Sequence, residues 1–360
     1  VSESHVSGRV RDLTSALHIA DAGLDQAVNN LRTPSVADDV LQGTFSSGSF
    51  DILSVTNVGS QTYQVTARGT AGSEQRTVES VVRRSPKSIF QYALFGDQSV
   101  AVDGDAVTDS YDSRNGAYNP SNHQHNGDVG TNETASGGIS VGGSIFVDGQ
   151  LVVGNGTADP DSAVTGYDPV FVTGGTSPPS DTQDIVAQPG DFPMPAVSVP
   201  GGVTCSDLQV NGNELVSLTP TGGPLGDGTY CYTDLTVLGG GTLTATGNVK
   251  VYVTGELKLG GGNGSAGVGV PSDPTSMMLL LTSTAGATVG TLNGSVNFYG
   301  MLYGPGATVD ISGNAQVFGS VVTSSVTVSG NAEIHYDEAV NTRTDISNLY
   351  TPTVISWREL

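Results

Sequence analysis

Apolar residues first recur at a helical spacing. Val6, Val10, Leu13, Leu17, Ala20, Leu24, Ala27, Val28 and Leu31 step by three or four, while Arg9, Arg11, Asp12, Asp21, Asp25 and Gln26 fill the other face. This spacing predicts a helix over residues 4–32, and Pro34 stops it because proline cannot continue the hydrogen-bond ladder. The period then changes to two. Residues 49–57, 62–69 and 75–84 alternate apolar and polar positions, as in Ile52, Val55, Tyr63, Val65, Val78 and Val81, the pattern of half-buried strands. Val58-Gly59-Ser60 and Ala71-Gly72-Ser73 supply the turns, and Ser85-Pro86 reads as the exit. Residues 1–86 are therefore expected to form a helix packed on an antiparallel β-meander.

From about residue 88 the strands become shorter and alternate with Gly, Asn and Asp, as in Val102-Asp103-Gly104-Asp105 and Val147-Asp148-Gly149. Residues 154–202 carry Pro, Ser and Asp in excess and read as a long surface excursion. A repeat lies near the end: Val309-Asp310-Ile311-Ser312-Gly313-Asn314-Ala315 returns 17 positions later as Val326-Thr327-Val328-Ser329-Gly330-Asn331-Ala332. That period is too short for a helical repeat and matches one circuit of a parallel β-solenoid. Gly-Asn would form corners at positive φ, with the asparagines stacking from circuit to circuit. A β-sandwich is the alternative, but nothing in it demands near-identical turns at constant spacing. The expected fold is mainly β: a parallel β-helix (solenoid) body behind an N-terminal α-helix and antiparallel β-meander. Its divisions are 1–86, the helix and meander; 87–202, a short-strand β region with a Pro/Asp-rich excursion; 203–345, the parallel β-helix; and 346–360, a C-terminal tail.

Composition narrows the function. Of 360 residues 50 are glycine, and 13 basic residues face 35 acidic ones for a net charge of −22. Phosphate neutralisation needs a basic stripe, and only three lysines (Lys87, Lys250, Lys258) are present, so nucleic-acid binding is excluded. An anionic membrane surface would repel the chain as well. The longest strictly apolar run, Met277 to Leu281, is far short of the ~20 residues of a membrane helix. Cys205 and Cys231 are the only cysteines and are expected to form a disulfide in an oxidising exterior, two free thiols being the alternative.

Candidate chemistry is sparse. Gly262-x-Gly264-x-x-Gly267 spells a dinucleotide fingerprint, yet Pro271 and Pro274 follow and no helical period does, so corner glycines explain it better. Asp103, Asp105, Asp109 and Asp112 supply hard oxygen ligands for a calcium ion, although the spacing fails the EF-hand template and solvated loop carboxylates are the plainer explanation. No other cofactor is expected. His123 and His125, with Asp128 close behind, have the His-x-His spacing of a zinc or copper site inside a polar loop. His335 reads as a packing or hydrogen-bonding residue. The repeats are expected to expose a nearly uncharged face: Thr308, Asp310, Ser312, Gln316, Ser320, Thr323, Ser325 and Thr327. Sugar-cleaving β-solenoid enzymes need clustered carboxylates with Arg or Lys on such a face, so an enzyme is a remote reading. Four Asn-x-Ser/Thr sequons stand at Asn132, Asn155, Asn263 and Asn293.

Ala20-Asp21-Ala22-Gly23-Leu24-Asp25-Gln26-Ala27-Val28 resembles a segment of PilX-type minor type IV pilins. Asp109 to Tyr118, Gly130-Thr131-Asn132, Phe298 to Ala307, Ile334 to Ala339 and Ser356 to Glu359 resemble β-helical domains fused to such pilins. The resemblance implies a leader peptide and an apolar half-helix upstream of Val1, an extracellular filament or pilus setting, partners that are copies of the chain or other pilins, and no catalytic residues. The expected function is thus a non-catalytic structural subunit of a surface filament. Assembly would run through Val6, Val10, Leu13, Leu17 and Leu24 on the helix, through strand addition at an open solenoid end, or both. The runner-up is a cell-surface adhesin or binding module, with or without calcium.

Overall fold

The structure is a computed structural model describing residues 3–32, 41–166, 185–282, 288–346 and 349–360. The chain divides into two compact units, residues 1–87 with 346–360 and residues 88–345.

The first unit holds the long helix Glu3–Asn30. Ala16, Ile19, Ala20, Leu24, Ala27 and Leu31 are buried, and they meet Phe50, Ile52, Tyr63, Val65, Ala67, Val78 and Val82 from one face of an antiparallel sheet. The alternation read from the sequence becomes the strands Gly48–Gly59, Thr62–Ala71 and Glu74–Lys87. Two more strands flank them: Gln42–Phe45 pairs with the first, and Leu349–Glu359 pairs antiparallel with Glu74–Lys87. Residues 349–359, part of the segment set apart above as a tail, therefore extend the sheet of the first unit. Gly69 marks where helix and sheet come closest: a Cβ there would lie 2.4 Å from the backbone nitrogen of Ala20. Arg84 lays its guanidinium over the rings of Tyr63 and Tyr350, 4.8 and 4.0 Å from their centroids, which ties the last strand to the meander.

The second unit is a sheet of parallel strands in which each circuit of chain hydrogen-bonds to the next. The 17-residue repeat is one such step, with Val309 opposite Val326 and Ile311 opposite Val328. Gly313 and Gly330 take the corners at φ +77°, and Asn331 Nδ2 donates to Asn314 Oδ1 at 3.2 Å. The expected corner ladder is thus present at these two positions.

The order of the circuits departs from chain order. Leu94–Val102 pairs with the strand Gln316–Val328, and Val107–Tyr111 pairs with Glu333–Asp337. The segment from residue 88 onwards therefore continues the stack beyond the last C-terminal circuit, and the boundary drawn at 202/203 does not separate two bodies. One inward column shows the continuity: Val251, Leu279, Leu302, Val321, Leu94, Val129, Leu151 and Ile185 follow one another across paired strands. All eight are buried, and each contributes roughly 1.5–3 kcal/mol of apolar burial.

Part of the predicted excursion also joins this stack. Leu151–Val153 pairs with Ile185–Ala187, and Val164–Thr165 with Ile139–Val141. Residues 167–184, the centre of the excursion, lie outside the described residues. Beyond the strand 185–187, Phe192 packs on Phe95 and Tyr92 at ring separations of 4.6 and 5.5 Å. The expected polar face is corrected at Ser320 and Thr323: both are fully buried, Ser320 Oγ donates to the Tyr92 carbonyl, and Thr323 Oγ1 donates to the Ser325 carbonyl.

Candidate functional site

The disulfide between Cys205 and Cys231 is present. It ties the segment before the strand Ser206–Val210 to the strand Thr229–Val237, which pairs with it.

The four aspartates proposed for calcium do not converge. Asp103 and Asp105 are exposed on either side of the corner Gly104, and Asp103 Oδ1 accepts from the Gly104 amide at 2.8 Å. Asp109 is buried, and the Tyr118 hydroxyl donates to it at 2.7 Å. Asp112 caps the short turn Ser113–Asn115 and is held by the Arg114 guanidinium at 2.6 Å, which lowers its carboxyl below the usual range. No three of their carboxylates come within 4.8 Å of one another among the described residues, so no calcium cage forms there. The physical reason is the circuit itself: four positions crowded in sequence span a corner, a strand and a turn, and each turns its side chain elsewhere.

What gathers instead is a column of rings on an outward position of successive strands. Tyr299 stands opposite Phe318, Phe318 opposite His335, and His335 opposite Asp109. The parallel register stacks Tyr299 on Phe318 at 4.5 Å and Phe318 on His335 at 4.9 Å. The segment after Asp112 returns over this column and places Tyr118 on His335 at 3.8 Å between ring centroids. His335 is only 3% exposed, and its Nδ1 lies 2.6 Å from Asp109 Oδ1. Its Nε2 is 3.3 Å from Glu333 Oε2, which also accepts from Gln316 Nε2 at 2.6 Å. Burial pushes the Tyr118 hydroxyl well above its ordinary value, with the Asp109 hydrogen bond adding to it. These groups line an open cleft of about 430 Å³ with Pro120 and Pro271 at its rim. The sequence assigns His335 a packing and hydrogen-bonding role, and the geometry agrees. The pairing with Asp109 was not legible, since 226 positions separate the two.

The same overlying segment carries His123 and His125. It is pinned by Gln124, which exchanges backbone hydrogen bonds with Ser110. Both histidines face Asp148, not Asp128. Asp128 is taken up by the Gln150 amide and is raised by burial. The ligand atoms of His123, His125 and Asp148 all lie within 4.8 Å of one another.

The assembly residues expected on the helix separate into two groups. Leu24 is 4% exposed and belongs to the core of the first unit, which removes it as a contact residue. Leu13 and Leu17 are half-buried, Leu17 against that same core. Val10 is 57% exposed. The side chain of Val6 lies outside the described residues. The helix is thus used at its C-terminal end for packing and remains open near its start, where Arg9 reaches Glu74 at 3.1 Å across the hairpin turn.

Residues 234–343 match a family described as a domain of unknown function (DUF7305). No curated protein matches the chain. Among solved structures the chain is similar to the competence-associated pilin ComZ from Thermus thermophilus, with 12% identity, 97% of each chain covered and a TM-score of 0.36. It is also similar to the DUF3494 domain of an ice-binding protein from Shewanella frigidimarina, with 14% identity over 71% of this chain and 98% of that one, at a TM-score of 0.30. No helix among the described residues is long and apolar enough to cross a membrane.

Proposed function

We propose that the chain is a non-catalytic structural subunit of an extracellular filament, pilin-like in its first unit and a parallel β-helix in its second. The observation that carries this reading is the helix Glu3–Asn30, buried on its sheet from Ala16 onwards while Val10 stays 57% exposed. A helix start that leaves Val10 exposed beside a completed sheet is suited to packing against the helices of neighbouring subunits, copies of this chain or other pilins. The Ala20-Asp21-Ala22-Gly23-Leu24 segment and the residues after it up to Val28 support the finer assignment to the PilX-type minor pilins. The disulfide supports an extracellular or cell-surface setting. The non-catalytic part is supported by His335: it is 3% exposed, Tyr118 and Phe318 pack on it, and carboxylates engage both its nitrogens, which leaves its proton committed within the protein.

Filaments sheared from the cells that make the protein, labelled with antibody to this chain, test the reading. Label along or at the end of filaments is the expected result, reduced by Val10→Asp with an unchanged melting curve. Chain found only as free monomer, with no filament label, overturns it. The second reading, a surface binding module, is favoured by the cleft of about 430 Å³ beside Tyr118, Tyr299 and Phe318. A glycan array read with wild type and with Tyr299→Ser separates the two.

A further inference from the structure

We propose that His123, His125 and Asp148 form a divalent zinc site. The inference stands apart from the filament reading, because it uses neither the helix nor the assembly contacts.

Three observations converge. First, the donors are already gathered: His125 Nδ1 is 2.8 Å from both carboxylate oxygens of Asp148, and His123 Nε2 is 3.9 Å from Oδ2. A tetrahedral zinc ion with bonds of about 2.0–2.1 Å keeps its donors about 3.3 Å apart, so these separations bracket the distance that binding requires. With all three ligand atoms within 4.8 Å of one another, shifts of about an ångström in two half-exposed histidines would complete the set. Second, His123 is positioned as a ligand. Its Nδ1 is 2.9 Å from the Pro120 carbonyl, which only accepts, so Nδ1 carries a proton and Nε2, 3.9 Å from Asp148 Oδ2, is the nitrogen left to meet a metal. Third, Asp148 is fixed and enclosed. Its carboxylate side chain is 4% exposed, its amide donates to the Thr108 carbonyl, and its own carbonyl accepts from Gly127. The histidines approach it from the solvent side on the segment pinned at Ser110 and Gln124. The metal therefore has an entry path and a rigid anchor.

Two imidazoles and one carboxylate favour zinc over calcium or magnesium, which prefer cages of oxygen donors. Three protein ligands leave a tetrahedral ion one position for water. The consequence is local. A bound ion would tie the segment carrying Tyr118 to the parallel sheet at a second point and hold that ring on His335.

The test uses the untagged full chain, stripped with EDTA and titrated calorimetrically with zinc chloride. The same titration is run on His123→Ala, His125→Ala and Asp148→Asn, with His18→Ala as a control and calcium chloride as a second titrant. The expected result is one saturable zinc per chain, with affinity reduced about tenfold or more in each site variant and unchanged in His18→Ala. Zinc should also slow amide exchange across residues 112–126. Because Asp148 is buried, the two exposed histidine variants decide the question if Asp148→Asn fails to fold. Absence of saturable zinc uptake, or uptake unaffected by removing either histidine, overturns the proposal.

Discussion

A column of corner glycines offers the sharpest test of how the second unit is built. Gly294, Gly313, Gly330, Gly104 and Gly143 sit one per circuit, each with φ between +70° and +86°. At Gly294 the nearest atom to an added Cβ is 3.7 Å away, whereas Gly313, Gly330, Gly104 and Gly143 approach the backbone of a neighbouring circuit so closely that a Cβ is crowded: at Gly104 it would lie 2.5 Å from the Gly330 carbonyl oxygen and 2.8 Å from its nitrogen. Gly104→Ala therefore carries two costs. The left-handed backbone costs an L-residue roughly 1–2 kcal/mol. Prising apart two hydrogen-bonded circuits to relieve the overlap adds roughly 1–3 kcal/mol, as overpacking does elsewhere. The sum is about 2–5 kcal/mol. Gly137 supplies the control, because its φ is +89° and nothing lies within 4 Å of a Cβ there, so Gly137→Ala carries the backbone cost alone. Any entropy lost from the unfolded chain is common to both and cancels. Urea unfolding followed by circular dichroism measures the difference, expected at roughly 1–3 kcal/mol in favour of Gly137→Ala. Equal destabilisation by the two substitutions would show that residues 88–166 do not stack on the circuit ending at Gly330, and the discontinuous order of the fold would fall with it.

Other expectations follow from separate parts of the molecule. Replacing both cysteines by serine releases a loop closed over a sequence separation of 26 and should cost about 3.5 kcal/mol by loop entropy, read as a lower urea midpoint than wild type under non-reducing conditions. Deleting residues 349–360 strips the strand that pairs with Glu74–Lys87 and removes the Tyr350 ring from Arg84; the first unit should lose its cooperative melting while far-UV circular dichroism retains the parallel-sheet signal. Asp345 sets an acid limb. Burial pushes its carboxyl up, but Arg343 at 2.9 Å and Lys250 at 3.1 Å outweigh burial and hold it well below the usual carboxylate range. Since the folded state binds this proton more weakly than the unfolded one, the stabilisation is complete above the ordinary carboxylate range and is lost as pH falls through and below it. Asp345→Asn should flatten that limb of a stability–pH curve, and an unchanged acid limb would remove the pair from the account. Asp337, raised by burial, works the other way, giving up stability as pH rises through its folded value.

Much of the local architecture was legible because it rests on short-range periodicity. The stripe from Ala16 to Leu31 and the alternation around Ile52, Val65 and Val78 each bury one face of an element, and no distant partner is needed to see which face. The repeat at 309–315 and 326–332 announced its own register, because adjacent circuits must present equivalent residues to pair in parallel. The candidate site was less accessible. His-x-His spacing pointed to His123 and His125 but to Asp128 as their companion. The length of one circuit brings Asp148 to that place instead, and the Gln150 amide occupies Asp128. The calcium reading failed for the same reason, since proximity along the chain was taken for proximity in space.

By itself, then, the amino-acid order settled the helix, the three meander strands and the face each buries, and that Gly-Asn corners recur. Tertiary structure alone decided that Val326 meets Val100, that Tyr336 meets Ser110, and that the last strand returns to pair with Val82. Parallel pairing accepts any strand whose apolar column and corner glycine match. Among several near-equivalent circuits, only the packing of the whole stack selects which two become neighbours.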